Sequence, residues 1–371
     1  MKIAVISSHT PSLLWFRLDM MKAFISNGHS VISIGNEPST NENNWCEKFA
    51  KYNIKYRQIY VERNGKNPFN DIKTYKSIKE VLKQENPDKL FVYQAKTIVY
   101  GSMAAKSLKK SEVFSLVAGL GSVFRGYGFK NSIIKFLLKL EYKIACKNSK
   151  AVLFQNNDDK STFLNLNLVS DKKAKIINGS GVNLEKFVQT DIPNSPTFLF
   201  IGRLIKDKGI LEYLSACQIV KEKYPNIKCL LVGPFDSNPS ALKSEELQPF
   251  IDKKTIEYFG EQMDVKPFLD KCTVYILPSY HEGTPKTVLE AMATGRAVIT
   301  TDAPGCRETV VDGQNGFLVP VKDTNVLVQK MIYMIENPNE TIRMGTAGRK
   351  IAEEKYDVSK VNQSIVEIME L

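Results

Sequence analysis

Short apolar runs alternate with longer helical stretches along this chain, and after residue 196 the alternation starts afresh. In the first half the runs lie at 2–6, 30–34, 89–93, 114–117, 151–155 and 175–177. A polar loop, 7–12, follows the first of them and leads into a helix through Arg17, Met21 and Phe24 that Asn27 and Gly28 close. In the second half the runs lie at 197–201, 229–232, 256–259, 274–277, 297–300 and 317–319, with a helix over 210–223 after the first. Fully apolar runs suit strands buried on both faces, and strand–helix alternation predicts parallel sheets covered by helices. At 371 residues the chain is too long for one core, so two α/β domains are expected. The segment 190–196, with two prolines, reads as the link between them. The expected boundaries are 1–188, 189–355 and a C-terminal helix, 356–371, that packs back toward the first domain.

In sheets of this kind ligands bind outside the carboxyl ends of the strands. That marks the loop 7–12 with His9, the loop with Gly119 and Gly121, and the loop 202–209 of the second half. Neither loop of the first half is a G-x-G-x-x-G fingerprint, and no G-x-x-x-x-G-K-[ST] occurs, so each glycine taken alone reads first as a tight turn.

The densest polar constellation follows the run 274–277. A polar elbow, 279–284, precedes a helix with Pro285 in its first turn and Leu289, Met292 and Ala293 on its inward face. Glu282 stands before that helix and Glu290 eight residues on, a separation of roughly 10 Å along a helix axis. A ligand touching both is long. Amides of Gly283, Thr284 and the next turn favour an anion, and carboxylates favour hydroxyls, so the pattern suits a nucleotide-sugar. Arg203 and Lys208 follow the first strand of the same half, at its carboxyl end, and two cations neutralise a diphosphate.

Charge separates the halves. Residues 1–190 hold 30 Lys and Arg against 15 Asp and Glu, whereas the remainder holds 21 against 25. A basic half suits nucleic acid, an anionic membrane or simply a solvated surface. Over 130–150, Lys135, Lys139, Lys143 and Lys147 share one helical stripe beside the apolar Phe136, Leu137, Leu140 and Ile144. Such a helix suits anionic lipid, or packs on its own sheet with a solvated lysine face. The apolar start stops at Ser7, too short for a signal peptide, and no run approaches the ~18 apolar residues of a membrane span. The six cysteines show no CxxC pairing and read as buried thiols of a reducing compartment, and with three scattered histidines no metal site is expected.

These residues resemble the family-4 glycosyltransferases of the GT-B fold, which has two Rossmann-like doubly wound domains with parallel sheets facing a central cleft. The resemblance rests on E-x7-E at Glu282 and Glu290, Gly-Arg-Leu-x-x-x-Lys-Gly over 202–209, Asp302-x-Pro-Gly-x-x-Glu308, and the glycines of 313–316. In the first half it extends through Phe16 and Arg17, Gly28 and His29, Gly119 to Gly121, and 178–182, where the chain is most similar to bacterial transferases that build capsule, O-antigen, lipopolysaccharide or lipid-linked oligosaccharides.

The resemblance implies a retaining transfer of a hexose or N-acetylhexosamine from a nucleotide-diphosphate sugar, with UDP the expected base, to a polyprenyl-diphosphate-linked or polysaccharide-precursor acceptor. Arg203 and Lys208 would hold the donor diphosphate, Glu282 the sugar hydroxyls and Glu290 the ribose. Gly202, Gly283, Thr284, Pro285, Thr287 and Val288 would complete the cradle, and Gly260 with Met263 would line the base. His9, Arg17, Gly119 and Gly121 would lie on the acceptor side. No cofactor or metal and no nucleic acid is implied. Lys135, Lys139 and Lys143 would face the membrane, placing the enzyme peripherally on the cytoplasmic face of a bacterial plasma membrane. Related enzymes often carry a histidine before Gly-Leu-Gly; here Ala118 stands there, so no imidazole base is available at that point. A non-hydrolysing nucleotide-sugar epimerase and a non-catalytic sugar-nucleotide-binding partner are the competing readings.

Overall fold

The computed structural model describes residues 1–37, 42–62, 67–120, 129–236 and 240–371, and of 129–133 the backbone alone. Two compact units result: Met1–Ser180 with Val358–Leu371, and Gly181–Asp357. The chain therefore passes between units at 180/181 and again at 357/358.

The first unit opens with β1 (Lys2–Ile6), α1 (Thr10–Ser26), β2 (Ser30–Gly35), α2 (Glu42–Ala50) and β3 (Lys55–Gln58). It continues through α3 (Pro68–Glu85), β4 (Lys89–Tyr93), α4 (Ala95–Leu108) and β5 (Glu112–Val117). The rest of its continuous part is α5 (Phe129–Asn148), β6 (Ala151–Phe154), α6 (Asn157–Asn165) and β7 (Ala174–Ile176). All strand pairings are parallel, in the order β3-β2-β1-β4-β5-β6-β7.

The second unit runs β8 (Thr197–Ile201), a 3-10 turn (Lys206–Lys208), α7 (Ile210–Lys223), β9 (Lys228–Val232), α8 (Ser244–Asp252) and β10 (Glu257–Tyr258). Next come α9 (Lys266–Lys271), β11 (Val274–Leu277), α10 (Lys286–Ala293), β12 (Ala297–Thr301) and β13 (Gly316–Val319). Helices α11 (Thr324–Glu336) and α12 (Pro338–Ile351) close it, and a π turn, Ala352–Tyr356, leads to α13 (Val358–Met369) of the first unit. Its parallel sheet is ordered β10-β9-β8-β11-β12-β13.

Each sheet is thus doubly wound, as the GT-B resemblance implies, and each has a switch point where the order reverses: between β1 and β4, and between β8 and β11. Ligand crevices form outside the carboxyl ends of strands at such points. The strands are apolar because helices cover both faces. β8, β11 and β12 are buried along their whole length.

Segment 190–196 lies inside the second unit instead of joining the two. The fully buried Arg296 holds it: Nε donates to Leu269 O (2.8 Å) and Nη1 to Thr190 O (3.1 Å) and Asp191 O (3.2 Å). Val182 and Phe187 are buried in the same core, so the passage between units falls upstream of residue 188. Helix α13 returns to the first unit because Val361, Ile365, Val366 and Met369 form one buried stripe in its core.

Candidate functional site

Pro278 ends β11, and the chain then crosses the switch point of the second sheet as an elbow, 278–285. Two neighbouring loops clamp that elbow. Asp207 O, just before Lys208, accepts from Ser279 Oγ (3.1 Å) and from Tyr280 N (2.9 Å), and the Tyr280 hydroxyl donates to Glu212 Oε1 (2.6 Å). From the other side Thr301 Oγ1 donates to Ser279 O, and Glu282 N donates to Pro304 O (2.9 Å). The approach is too close for side chains at two points. A Cβ on Gly209 (φ +73°) would lie 2.1 Å from Pro278 O, and one on Gly305 (φ +80°) 2.2 Å from Glu282 O. Both glycines also hold the left-handed backbone that other residues rarely adopt.

The clamp brings Lys208 and Glu282 together. Lys208 Nζ donates to Glu282 Oε1 at 2.5 Å, with both side chains largely shielded, 22 % and 12 % exposed. A charge-assisted bond in such surroundings holds its geometry firmly. Helix α10 begins at Lys286, with Pro285 as its N-cap and no capping side chain, so Pro285 stands one residue earlier than the sequence suggests. Glu290 is buried on this helix, its Oε1 3.8 Å from Lys286 Nζ. Burial raises its carboxyl above the ordinary range, against the opposing pull of Lys286 and Lys186.

Tyr275 adds a tie that no motif of the sequence marks. Its hydroxyl bridges Ile201 O (3.1 Å) and Thr287 Oγ1 (2.6 Å), pinning the first turn of α10 to the end of β8. The available signal was a phenol in an otherwise apolar strand, which needs a polar partner when buried. Asp236 was also missed: Arg203 Nη1 donates to its Oδ2 at 2.8 Å, so Arg203 is engaged on the loop after β9. Gly202, Gly233 and Gly260 close adjacent strand ends: Gly202 N donates to Val232 O (3.0 Å) and Gly233 N to Gly260 O (2.7 Å). Gly283 and Val288 are buried, Thr284 is half-buried, and Met263 is open to solvent.

At the switch point of the first sheet, Gln94 precedes α4 with φ 72° and ψ 141°, a strained backbone for a residue with a side chain. Its Oε1 accepts from Ser8 N (2.8 Å), Ser8 Oγ (2.5 Å) and Ser7 Oγ (3.0 Å), tying the loop after β1 to the end of β4. Ser12 Oγ lies 2.8 Å from Ser7 Oγ and 2.8 Å from the Tyr93 hydroxyl. The Arg17 guanidinium stacks over the Tyr93 ring at 4.9 Å, and its Nη1 donates to Ser180 Oγ (3.1 Å). His9 Nε2 lies 3.8 Å from Glu37 Oε2. Gly119 follows β5 with φ +107°, and Gly121 lies outside the described residues. On α5 the buried face is Tyr142, Ala145 and Cys146, whereas Phe136, Leu137, Leu140 and Ile144 are exposed beside Lys143, with Lys135 and Lys139 half-buried. Among the described residues no helix is long and apolar enough to cross a membrane.

Comparison with known proteins matches residues 2–156 to the glycosyl transferase 4-like family and residues 183–351 to glycosyl transferases group 1. A Campylobacter jejuni N,N'-diacetylbacillosaminyl-diphospho-undecaprenol alpha-1,3-N-acetylgalactosaminyltransferase is 29 % identical, covering 94 % of this chain and 92 % of its own length. An Escherichia coli UDP-Gal:alpha-D-GlcNAc-diphosphoundecaprenol alpha-1,3-galactosyltransferase is 25 % identical over 79 % of this chain and 78 % of its own. The structure of Anabaena HepE in complex with UDP superposes with a TM-score of 0.79 at 16 % identity, covering 100 % of both chains.

Proposed function

Because the chain is a glycosyltransferase, its first domain of the 4-like family and its second of group 1, we propose that it transfers a hexose or N-acetylhexosamine from a UDP-sugar to a sugar on a polyprenyl diphosphate, retaining the anomeric configuration. The observation that carries this is the Lys208–Glu282 contact at the β8/β11 switch point, with the buried Glu290 on the following helix. Glu282 accepts hydrogen bonds from the donor sugar and Glu290 from the ribose. Lys208, joined by Arg203, lies against the diphosphate. As the bond from the anomeric carbon to the phosphate oxygen breaks, charge grows on the diphosphate, and fixed cations stabilise it without a metal ion. The acceptor hydroxyl forms the new bond, and its proton passes to the departing phosphate oxygen. That path needs no imidazole where Ala118 stands.

The UDP choice is supported by the relative named for UDP-Gal and by the UDP bound to Anabaena HepE. The acceptor class is supported by two relatives named for diphosphoundecaprenol substrates. The outward apolar face of α5, with its lysines, supports docking on anionic lipid at the cytoplasmic membrane face. Each exposed lysine adds about 1 kcal/mol near such a surface.

Three measurements test the reading. Thermal shift against a panel of nucleotide-sugars identifies the donor, since bound ligand stabilises by RT ln(1 + [L]/Kd). Mass spectrometry of the purified enzyme with that donor and a prenyl-diphosphate sugar then shows one added sugar. A donor isomerised with no acceptor consumed would refute transfer. Co-sedimentation with anionic vesicles is expected to fall on replacing Lys135, Lys139 and Lys143 or on adding salt; binding indifferent to both removes α5 as the docking face.

A further inference from the structure

The mechanism above leaves the buried Arg17 unused. Arg17 is 2 % exposed and, among the described residues, no carboxylate pairs with it. Its Nε has no hydrogen-bond partner, and Nη1 has one neutral acceptor, Ser180 Oγ. The rings of Tyr93 at 4.9 Å and Phe91 at 5.8 Å are its other partners. Burial brings its guanidinium down to about 10, so it keeps its charge at neutral pH. Taking an arginine out of water with no counter-charge is costly, and structural arginines avoid it. Arg296 of the second unit shows the contrast, being equally buried yet bonded to three backbone carbonyls through Nε and Nη1.

The surroundings of Arg17 belong to a binding crevice by topology. Tyr93 and Gln94 end β4, Ser7 and Ser8 end β1, and these two strands flank the switch point of the first sheet. The equivalent position of the second sheet carries Lys208 and Glu282. Gln94 is held at φ 72° by its bonds to Ser7 and Ser8, a cost that a plain turn has no reason to bear. A guanidinium with its Nε–H open matches the oxygens of a phosphoryl group in geometry and in charge.

The geometry points to a phosphoryl-anion subsite in the first unit, at the carboxyl ends of β1 and β4, in which Arg17 supplies the charge and Gln94 positions the Ser7–Ser8 loop. This deepens the proposed function and rests on it for the source of the anion: the diphosphate of a lipid-linked acceptor or a free phosphate. Bound there, a diphosphate would complete the hydrogen bonding of Nε.

The experiment uses the full chain with the donor site saturated by UDP, and inorganic pyrophosphate as the probe. Hydrogen exchange is expected to show added protection over 7–12, 94–98 and 178–181. Arg17→Met is expected to lose pyrophosphate affinity about tenfold or more by calorimetric titration, the scale of one charge-assisted bond. The same variant should melt no lower than the parent, because it removes an uncompensated buried charge. Protection confined to 202–209 and 282–290, or to the lysine face of α5, would overturn the subsite, as would an Arg17→Met variant that titrates like the parent. If that variant does not fold, the exchange pattern of the parent decides alone. Farnesyl diphosphate in place of pyrophosphate separates the sources: tighter binding with the same protected segments assigns a lipid-borne diphosphate, and equal binding a free anion. Failure of the parent to bind UDP would strike the proposed function instead and is read in the same titration.

Discussion

Glu290 is a carboxyl group kept where ionisation is unfavourable. Its folded pKa is raised by burial, so its contribution to stability is full below the unfolded value and is lost as pH rises through the folded one. Glu290→Gln is therefore expected to raise the melting temperature of the unliganded protein at pH 7, with the gain fading below pH ~4.5. The same variant should weaken UDP binding, which calorimetry measures; higher stability with unchanged affinity would leave Glu290 without a ligand role. Lys208 and Arg203 differ in their engagement. Lys208 points at Glu282, whereas Arg203 is held by Asp236 with about half of its side chain exposed. Lys208→Ala should lower kcat roughly 10²–10³-fold, the scale of losing one preorganised charge donor, and Arg203→Ala should lower it less. Equal losses in steady-state assays would contradict this ranking. The sequence marks Glu282 and Glu290 by their spacing and Lys208 by its place after a strand. It is silent on Asp236 and Tyr275, because their roles depend on partners that only the folded sheet brings near.

Among the elements, the elbow owes its rigidity to the loops around it more than to its own residues. A methyl group at Gly305 would meet Glu282 O at 2.2 Å, and the residue sits at φ +80°. Gly305→Ala is expected to destabilise by about 1–3 kcal/mol in denaturant melts and to abolish transfer, since the backbone of Glu282 must move. A variant with full activity would show that the clamp is dispensable. Most strands were legible because buried parallel strands must be apolar throughout. β3 was not: of Lys55, Tyr56, Arg57 and Gln58 only Tyr56 is buried, and its place comes from pairing with β2 at the sheet edge. On α5 the residues disclosed an amphipathic helix, but not that its sheet-facing side is Tyr142, Ala145 and Cys146.

For the whole molecule, charge follows the two units. Met1–Ser180 with Val358–Leu371 holds 30 Lys and Arg against 16 Asp and Glu, and Gly181–Asp357 holds 21 against 24. The unit carrying α5 is therefore the one an anionic surface attracts. Helix α13 is continuous in sequence with the second unit but buries its stripe in the first. Lys89 at the start of β4 fastens it, donating Nζ to Met369 O and to Glu370 O (3.1 Å), while Lys150 reaches Glu370 Oε2 at 2.7 Å. Removing 358–371 is expected to lower the melting transition of the first unit and spare that of the second, because each buried aliphatic side chain contributes roughly 1.5–3 kcal/mol. Exchange measurements that find both units equally loosened would refute this. Residues 181–357 are made between the two parts of the first unit, so that unit cannot complete its core until 358–371 has followed. The groove along α1 is thus filled by the part of the unit that is made after the whole of the other unit.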